Sequence, residues 1–339
     1  MVSADLLRIV RCPDCGDPGE LSRDGEGLFC IACGTRYPAP FGYLELMPRS
    51  TAFAHISRYV AESEAFSTLD YRQVGPPVLG AGVRQRVLRR MLSLQPTDRV
   101  LDVGCGNGKF ALWNREAVAL LVGLDPAPLF ADAALAQVEL VRGDARRAPF
   151  ASRSFDKAFS IDVLEHLTRE DLEAVLKEMY RLLRPGGRLF LYSNTREPSQ
   201  LQPLISLWRR LGGALRRMGL FPPDRDALRK ADHVKAIATF DELCTLVESH
   251  GFRVVEVRFW NSAITSFVEH LLLPFFERQK RPGAPPSEAG HSHWRARAAR
   301  RGAVYYLARA LTWAMGLDIA LFGRLRSGSY FLLLEKPCG

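Results

Sequence analysis

The chain has 339 residues, 47% hydrophobic and 24% charged, an ordinary globular composition that excludes disorder as its overall state and allows about two domains. No run approaches the ~20 apolar residues of a membrane span, and the N-terminus MVSADLLRIVRCPDC lacks the h-region and cleavage site of a signal peptide, so the chain reads as cytoplasmic. The net charge of +9 belongs to the C-terminal part: residues 1–199 hold 25 Lys and Arg against 25 Asp and Glu, and residues 200–339 hold 21 against 12. That imbalance fits an anionic partner (nucleic acid, an acidic lipid surface or an acidic substrate) or simply a solvated face.

Four of the seven cysteines, Cys12, Cys15, Cys30 and Cys33, lie in two C-x2-C knuckles, CPDCG and CIACG. A two-residue separation lets each pair of sulfurs converge on one ion from a tight turn, and Gly16 and Gly34 free the backbone just after each knuckle. Four thiolates point to structural Zn²⁺ with no open coordination position. Two disulfides are disfavoured in a reducing compartment, and a redox C-x-x-C leaves the second pair unexplained. This places a zinc ribbon over residues 1–48, followed by a linker and N-terminal helices over 49–98. The stretch resembles the small zinc-ribbon partner proteins of methyltransferases and the ribbon that precedes certain ribosomal RNA guanine methyltransferases.

From residue 99 the chain alternates strands and helices at βαβ spacing. RVLDVGCGNGKF (99–110) is an apolar strand running into Gly104, Gly106 and Gly108, a turn that lets backbone approach a ligand at the carboxyl edge of a parallel sheet. ALLVGLDPA (119–127) ends in Asp125, whose carboxylate can accept from vicinal ribose hydroxyls. VELVRGDA (138–145) ends in Asp144, SFDKAFSIDVLEHL (154–167) is a fourth strand and RLLRPGGRLFLYSN (181–194) a fifth. The order DVGCGNG, LD, GD, DVLEHL, RPGG resembles the cofactor half of class I S-adenosylmethionine-dependent methyltransferases. The resemblance implies a doubly wound, Rossmann-like seven-stranded α/β sheet. It implies that Asp102 with Gly104, Gly106 and Gly108 holds the methionyl part of S-adenosylmethionine, that Asp125 holds the ribose, and that Asp144 with Ala145 borders the adenine.

FDELCTLVESHGF (240–252) has helical spacing with a glycine stop, and FRVVEVRFW (252–260) and GSYFLLLEKP (328–337) read as the final strands. A methyltransferase domain over 99–339 therefore carries insertions at about 195–238 and 261–327. The first is expected to cover the substrate pocket. Within it Leu204, Trp208, Leu211, Leu215 and Met218 recur at helical steps, with Arg209, Arg210, Arg216 and Arg217 on another face: a basic amphipathic helix broken or kinked near Gly212-Gly213. In the second, the Pro-, Gly- and Arg-rich 279–302 predicts a mobile segment. AVYYLARALTWAMGLDIALFG (303–323), interrupted by Arg309 and Asp318, predicts a lid or interfacial helix.

Methyl transfer needs an aligned acceptor and, for a hydroxyl, removal of its proton. Asp162, Glu165 and His166, just after the fourth strand, are the catalytic candidates, with His166 the first choice of proton acceptor. The run resembles one in ubiquinone-pathway O-methyltransferases, which implies a divalent metal at Asp162, Glu165 and His166; the other reading is a helix cap that lines the cofactor. Three functions follow: O-methylation of a small-molecule or lipid-like acceptor, with peripheral contact at the inner face of a membrane through the basic C-terminal part; methylation of ribosomal or transfer RNA; or a non-catalytic subunit that binds cofactor.

Overall fold

The computed structural model describes residues 2–25, 27–40, 42–49, 73–221, 234–277 and 302–338. Residues 279–301 of the 279–302 stretch read above as mobile lie outside them, as do residues 50–72 of the linker.

The N-terminal module opens with α1 (Ala4–Ile9), whose first turn is capped by the Ser3 hydroxyl accepting the Leu6 amide at 3.1 Å. Strands β1 (Leu21–Asp24), β2 (Gly27–Cys30) and β3 (Arg36–Tyr37) form a small antiparallel sheet. The chain then enters the large sheet through β4 (Leu44–Leu46), which pairs in parallel with β7 (Glu139–Gly143). On the other side, the Arg11 amide donates to the Pro149 carbonyl and the Ala151 amide to the Ile9 carbonyl, both at 2.8 Å. The module is thus bonded to the edge strand β7 and to the segment that precedes β8, and Leu6, Leu28, Leu44 and Leu46 join the same apolar cluster as the sheet residues Leu101 and Val122.

The remaining strands are β5 (Arg99–Val103), β6 (Leu120–Asp125), β8 (Phe155–Ile161), β9 (Leu183–Asn194), β10 (Arg253–Phe259) and β11 (Ser329–Glu335). The order is β10-β11-β9-β8-β5-β6-β7-β4, with β11 antiparallel to both its neighbours and every other pair parallel. The seven expected strands are present, and β4 adds an eighth. Because the chain runs from β5 outward through β6 to β7 and then returns to β8 on the other side of β5, the winding reverses between β5 and β8. A crevice opens outside the carboxyl ends at such a reversal.

Helices cover both faces. On one, α1, α5 (Arg169–Leu182, capped by Thr168) and α7 (Phe240–Ser249, capped by Thr239) pack against the sheet. On the other lie α2 (Leu79–Leu92), α3 (Lys109–Asn114), α4 (Asp132–Gln137) and the inserted helices. The first insertion contributes α6 (Gln202–Arg217). The second contributes α8 (Ala263–Phe267), which continues through a π turn (Val268–Leu272) into α9 (Leu273–Glu277), and then α10 (Ala303–Phe322).

Two details correct the sequence reading of these insertions. First, α6 is not broken at Gly212-Gly213. A Cβ on Gly212 would stand 2.7 Å from the His270 carbonyl oxygen, so this glycine serves a close approach between α6 and the π turn, not a kink. Second, Asp318 is no mere interruption of an apolar helix. Its buried carboxylate accepts the Ile264 and Thr265 amides, both at 2.8 Å, and thereby caps α8 from α10.

Candidate functional site

The four expected sulfur ligands do converge. The Sγ atoms of Cys12, Cys15, Cys30 and Cys33 all lie within 4.8 Å of one another, with Cys12 to Cys33 at 3.8 Å and Cys15 to Cys30 at 3.9 Å, and no disulfide joins them. A tetrahedron with metal–sulfur bonds of about 2.3 Å has edges of about 3.8 Å, so the donor set fits a four-coordinate ion. Gly16 and Gly34 take φ of 70° and 71°, which places each knuckle's amides back on the carbonyls of Cys12 and Cys30.

At the carboxyl end of β5, Gly104, Gly106 and Gly108 all have positive φ (71°, 54° and 79°). A side chain on Gly104 would collide with Val163, since its Cβ would lie 2.3 Å from the valine Cγ2. The Asp125 carboxylate at the end of β6 accepts the Gly106 amide at 2.7 Å and the Ala127 amide at 2.8 Å. Burial pushes its pKa up to about 6, against the lowering effect of those two amides. Asp102 is buried beside it; burial and then the charge of Asp125 hold its carboxyl well above the usual range. Its Oδ2 has no hydrogen-bond partner among the described residues. Two buried acids, one with an unsatisfied oxygen, next to a turn with glycine at alternate positions fit a ligand carrying positive charge and hydroxyl or amino donors.

Asp144, at the end of β7, is differently placed. Arg146 binds both of its carboxylate oxygens, with Nη2 at 2.8 Å and Nε at 3.0 Å from Oδ2, and extends Nη1 to Asp171 at 2.8 Å in the first turn of α5. The acid expected beside the adenine is therefore already neutralised, and Ala145 follows it in a short 3₁₀ turn. The sequence reading missed Arg146; a basic residue two positions after the strand-ending acid was the available signal.

After β8 the candidates Asp162, Glu165 and His166 separate. Asp162 sits at φ 60°, a left-handed conformation that Asp tolerates better than most residues, and its amide donates to the Tyr192 carbonyl at 3.0 Å. Its carboxylate pairs with Arg84 of α2, whose guanidinium lies 5.3 Å from the Tyr192 ring centre. Glu165 is buried in the following 3₁₀ turn and turns toward β9, accepting from the Ser193 hydroxyl and, at 3.4 Å, from the Asn194 amide. Burial first, and then the charge of Asp162, push its pKa up to about 7. His166 ends the turn half-buried.

In this structure Asp162, Glu165 and His166 do not converge as a ligand set. Among the described residues only the four cysteines bring three or more such ligand atoms together, while Asp162 and Glu165 are directed to different partners. Arg84 and Ser193 were also missed; Arg84 is 78 positions from Asp162 and lies in a helix with no motif of its own.

Residues 101–191 match the family described as methyltransferase domain. Among curated proteins, the chain is 34% identical over 170 residues to a malonyl-acyl-carrier-protein O-methyltransferase of Serratia marcescens, covering 49% of this chain and 60% of that one. It is 36% identical over 104 residues to a tRNA (carboxymethyluridine(34)-5-O)-methyltransferase of Xenopus tropicalis, covering 30% and 16%. The chain thus spans less than two thirds of these relatives. Among solved structures, the cyclase SpnF aligns with a TM-score of 0.50 at 17% identity over 86% of this chain and 99% of that one. Phosphoethanolamine N-methyltransferase 2 of Haemonchus contortus, in complex with S-adenosyl-L-methionine, aligns with 0.51 at 16% identity over 86% and 61%. At such identities the likeness is one of fold.

Proposed function

We propose that the chain, whose residues 101–191 match the methyltransferase-domain family, is an S-adenosylmethionine-dependent enzyme that methylates a small-molecule or lipid-like acceptor, at oxygen, in the crevice between β5 and β8. The observation that carries this reading is the pair of buried acids Asp102 and Asp125 at the three-glycine turn, one oxygen of which awaits a donor.

Asp102 and the Gly104–Gly108 turn hold the methionyl part, Asp125 the ribose, and Asp144 with Ala145 border the adenine through a wall stiffened by Arg146. Bound S-adenosylmethionine supplies a methyl carbon activated by its sulfonium sulfur. On the acceptor side, Arg84 and the Tyr192 carbonyl fix Asp162, and Glu165 fastens the 3₁₀ turn to β9. His166, partly buried at the end of the turn, would take the proton from the acceptor hydroxyl as the methyl carbon leaves the sulfonium sulfur for its oxygen. The inserted helices α6, α8 and α10 supply the apolar cover that a lipid-like acceptor needs.

The four cysteines hold a structural zinc that folds the N-terminal module and leaves no position for water. Metal analysis of the purified chain is expected to find one zinc per chain; a folded chain without it removes this role. No helix among the described residues is long and apolar enough to cross a membrane.

The test is transfer of a labelled methyl group from S-adenosylmethionine into a cell lysate. Label in lipids or small solutes supports this reading. Label in RNA selects the alternative of ribosomal or transfer RNA methylation, and cofactor binding without transfer to any fraction selects a non-catalytic partner subunit.

A further inference from the structure

The helix α6 has three distinct sides. Ile205 and Gly212 face inward, Gly212 against the π turn, and Trp208 meets the Phe267 ring edge-on at 5.2 Å. Leu204, Leu207, Leu211 and Met218 form a second side at helical steps and stay 39%, 47%, 42% and 63% exposed. The third side carries Arg209, Arg210 and Arg217, all exposed. The helix contains four arginines and no acid at all. Single exposed leucines need no explanation, but three on one stripe of a sixteen-residue helix, continued by Met218 at its C-cap, do.

The second insertion repeats the pattern. On α10, which like α6 packs on α8, Tyr306 and Trp313 lie two turns apart on the outer side and are 65% and 62% exposed, with Leu321 at 65%. Arg309 lies on the same outer side, and the one acid of α10 is Asp318, which is buried as the cap of α8. Both insertions thus present leucines and aromatic rings edged by cations, with no compensating exposed acid on either helix.

We propose that the outer sides of α6 and α10 dock the protein on an anionic lipid bilayer. Charge decides the partner's sign: the arginines edge the apolar stripe instead of interrupting it, so an anionic surface can be met while the leucines enter the acyl boundary. An RNA would use the arginines and leave the leucine stripe in water. The inference rests on the proposed acceptor class only in that a lipid-like acceptor would be met at the surface where it resides; vesicle binding itself requires neither cofactor nor methyl transfer.

The experiment is cosedimentation of the full chain with vesicles of phosphatidylcholine containing phosphatidylglycerol, with vesicles of phosphatidylcholine alone, and, by filter binding, with bulk RNA. The chain is expected to partition onto the anionic vesicles at least tenfold more strongly than onto the neutral ones, and less as salt rises. The double variant Leu207→Gln, Leu211→Gln is expected to weaken partitioning about tenfold, and Arg210→Gln, Arg217→Gln to weaken it and flatten the salt dependence. Far-UV circular dichroism and the thermal midpoint should match the parent in both, because the substituted side chains are exposed. Three results would overturn the proposal: no pelleting with anionic vesicles at low salt, partitioning indifferent to the leucine variant, or RNA binding that the arginine variant abolishes and the leucine variant leaves intact while vesicles do not bind. Label transfer failing alongside intact vesicle binding would count against the enzymatic reading alone.

Discussion

The two sides of the β5–β8 crevice handle their carboxylates in opposite ways. On the proposed cofactor side, the oxygens of Asp125 are held by two backbone amides, one from the glycine turn and one from Ala127, and Asp102 keeps an oxygen without a partner among the described residues. On the acceptor side, Asp162 is matched by a guanidinium from α2 and Glu165 by a hydroxyl and an amide from β9. The first arrangement is electrostatically incomplete, since burial and the neighbouring Asp125 disfavour the charged form of Asp102 and one of its oxygens has no partner among the described residues. The second is internally satisfied, which suits a side whose task is to keep a turn and its histidine in place. If this division is right, changes on one side should move cofactor affinity and changes on the other should move turnover.

The largest effect is expected from Gly104→Val. Its branched side chain would have to occupy space already filled by Val163 at a φ of 71°, so cofactor affinity should fall more than a hundredfold and stability by about 3 kcal/mol, read by calorimetry and chemical denaturation. Next, His166→Ala should lower kcat about a hundredfold or more while leaving the cofactor Kd within twofold, and equal turnover would take His166 out of the proton path. Arg84→Met leaves Asp162 unpaired in its left-handed conformation. A loss of roughly ten- to a hundredfold in kcat/KM for the acceptor is expected, again with little change in cofactor Kd. A matching loss in cofactor affinity would dissolve the boundary between the two sides.

The smallest effect is a pH dependence. Burial raises the Asp125 carboxyl to about 6, and in its proposed role the ionised form is the one that accepts from ribose hydroxyls. Below that pH the carboxyl is increasingly neutral, so cofactor affinity should fall about tenfold between pH 7 and pH 5, and Asp125→Asn should flatten the profile. The direction for folding is the reverse: a raised carboxyl favours the folded state at low pH, and this contribution is lost as pH rises through about 6.

The geometry of the glycine turn and its neighbouring acid was legible because it is local. Gly104, Gly106, Gly108 and Asp125 come from one strand–turn–helix–strand unit, and the Gly106 to Asp125 bond spans only 19 positions. The two cysteine knuckles were legible for the same reason. The acceptor side was opaque because its partners come from afar, Arg84 at 78 positions from Asp162 and Ser193 at 28 from Glu165. Spacing alone placed Asp162, Glu165 and His166 together as prospective ligands, whereas the left-handed Asp162 and the 3₁₀ turn send the two carboxylates apart. The strand β4 was invisible because three residues carry no readable alternation; its place comes from the free edge of β7. Gly212 misled because a glycine inside a helix looks the same in sequence whether it breaks the helix or admits a neighbour's backbone.

Titration calorimetry of the folded, ligand-free chain with S-adenosylmethionine and with its demethylated product bears most directly on the central claim that Asp102, Asp125 and the three-glycine turn grip this cofactor. One saturable site per chain, lost in Gly104→Val and weakened in Asp125→Asn, is the predicted result. Absence of heat with both compounds on well-folded protein would contradict it.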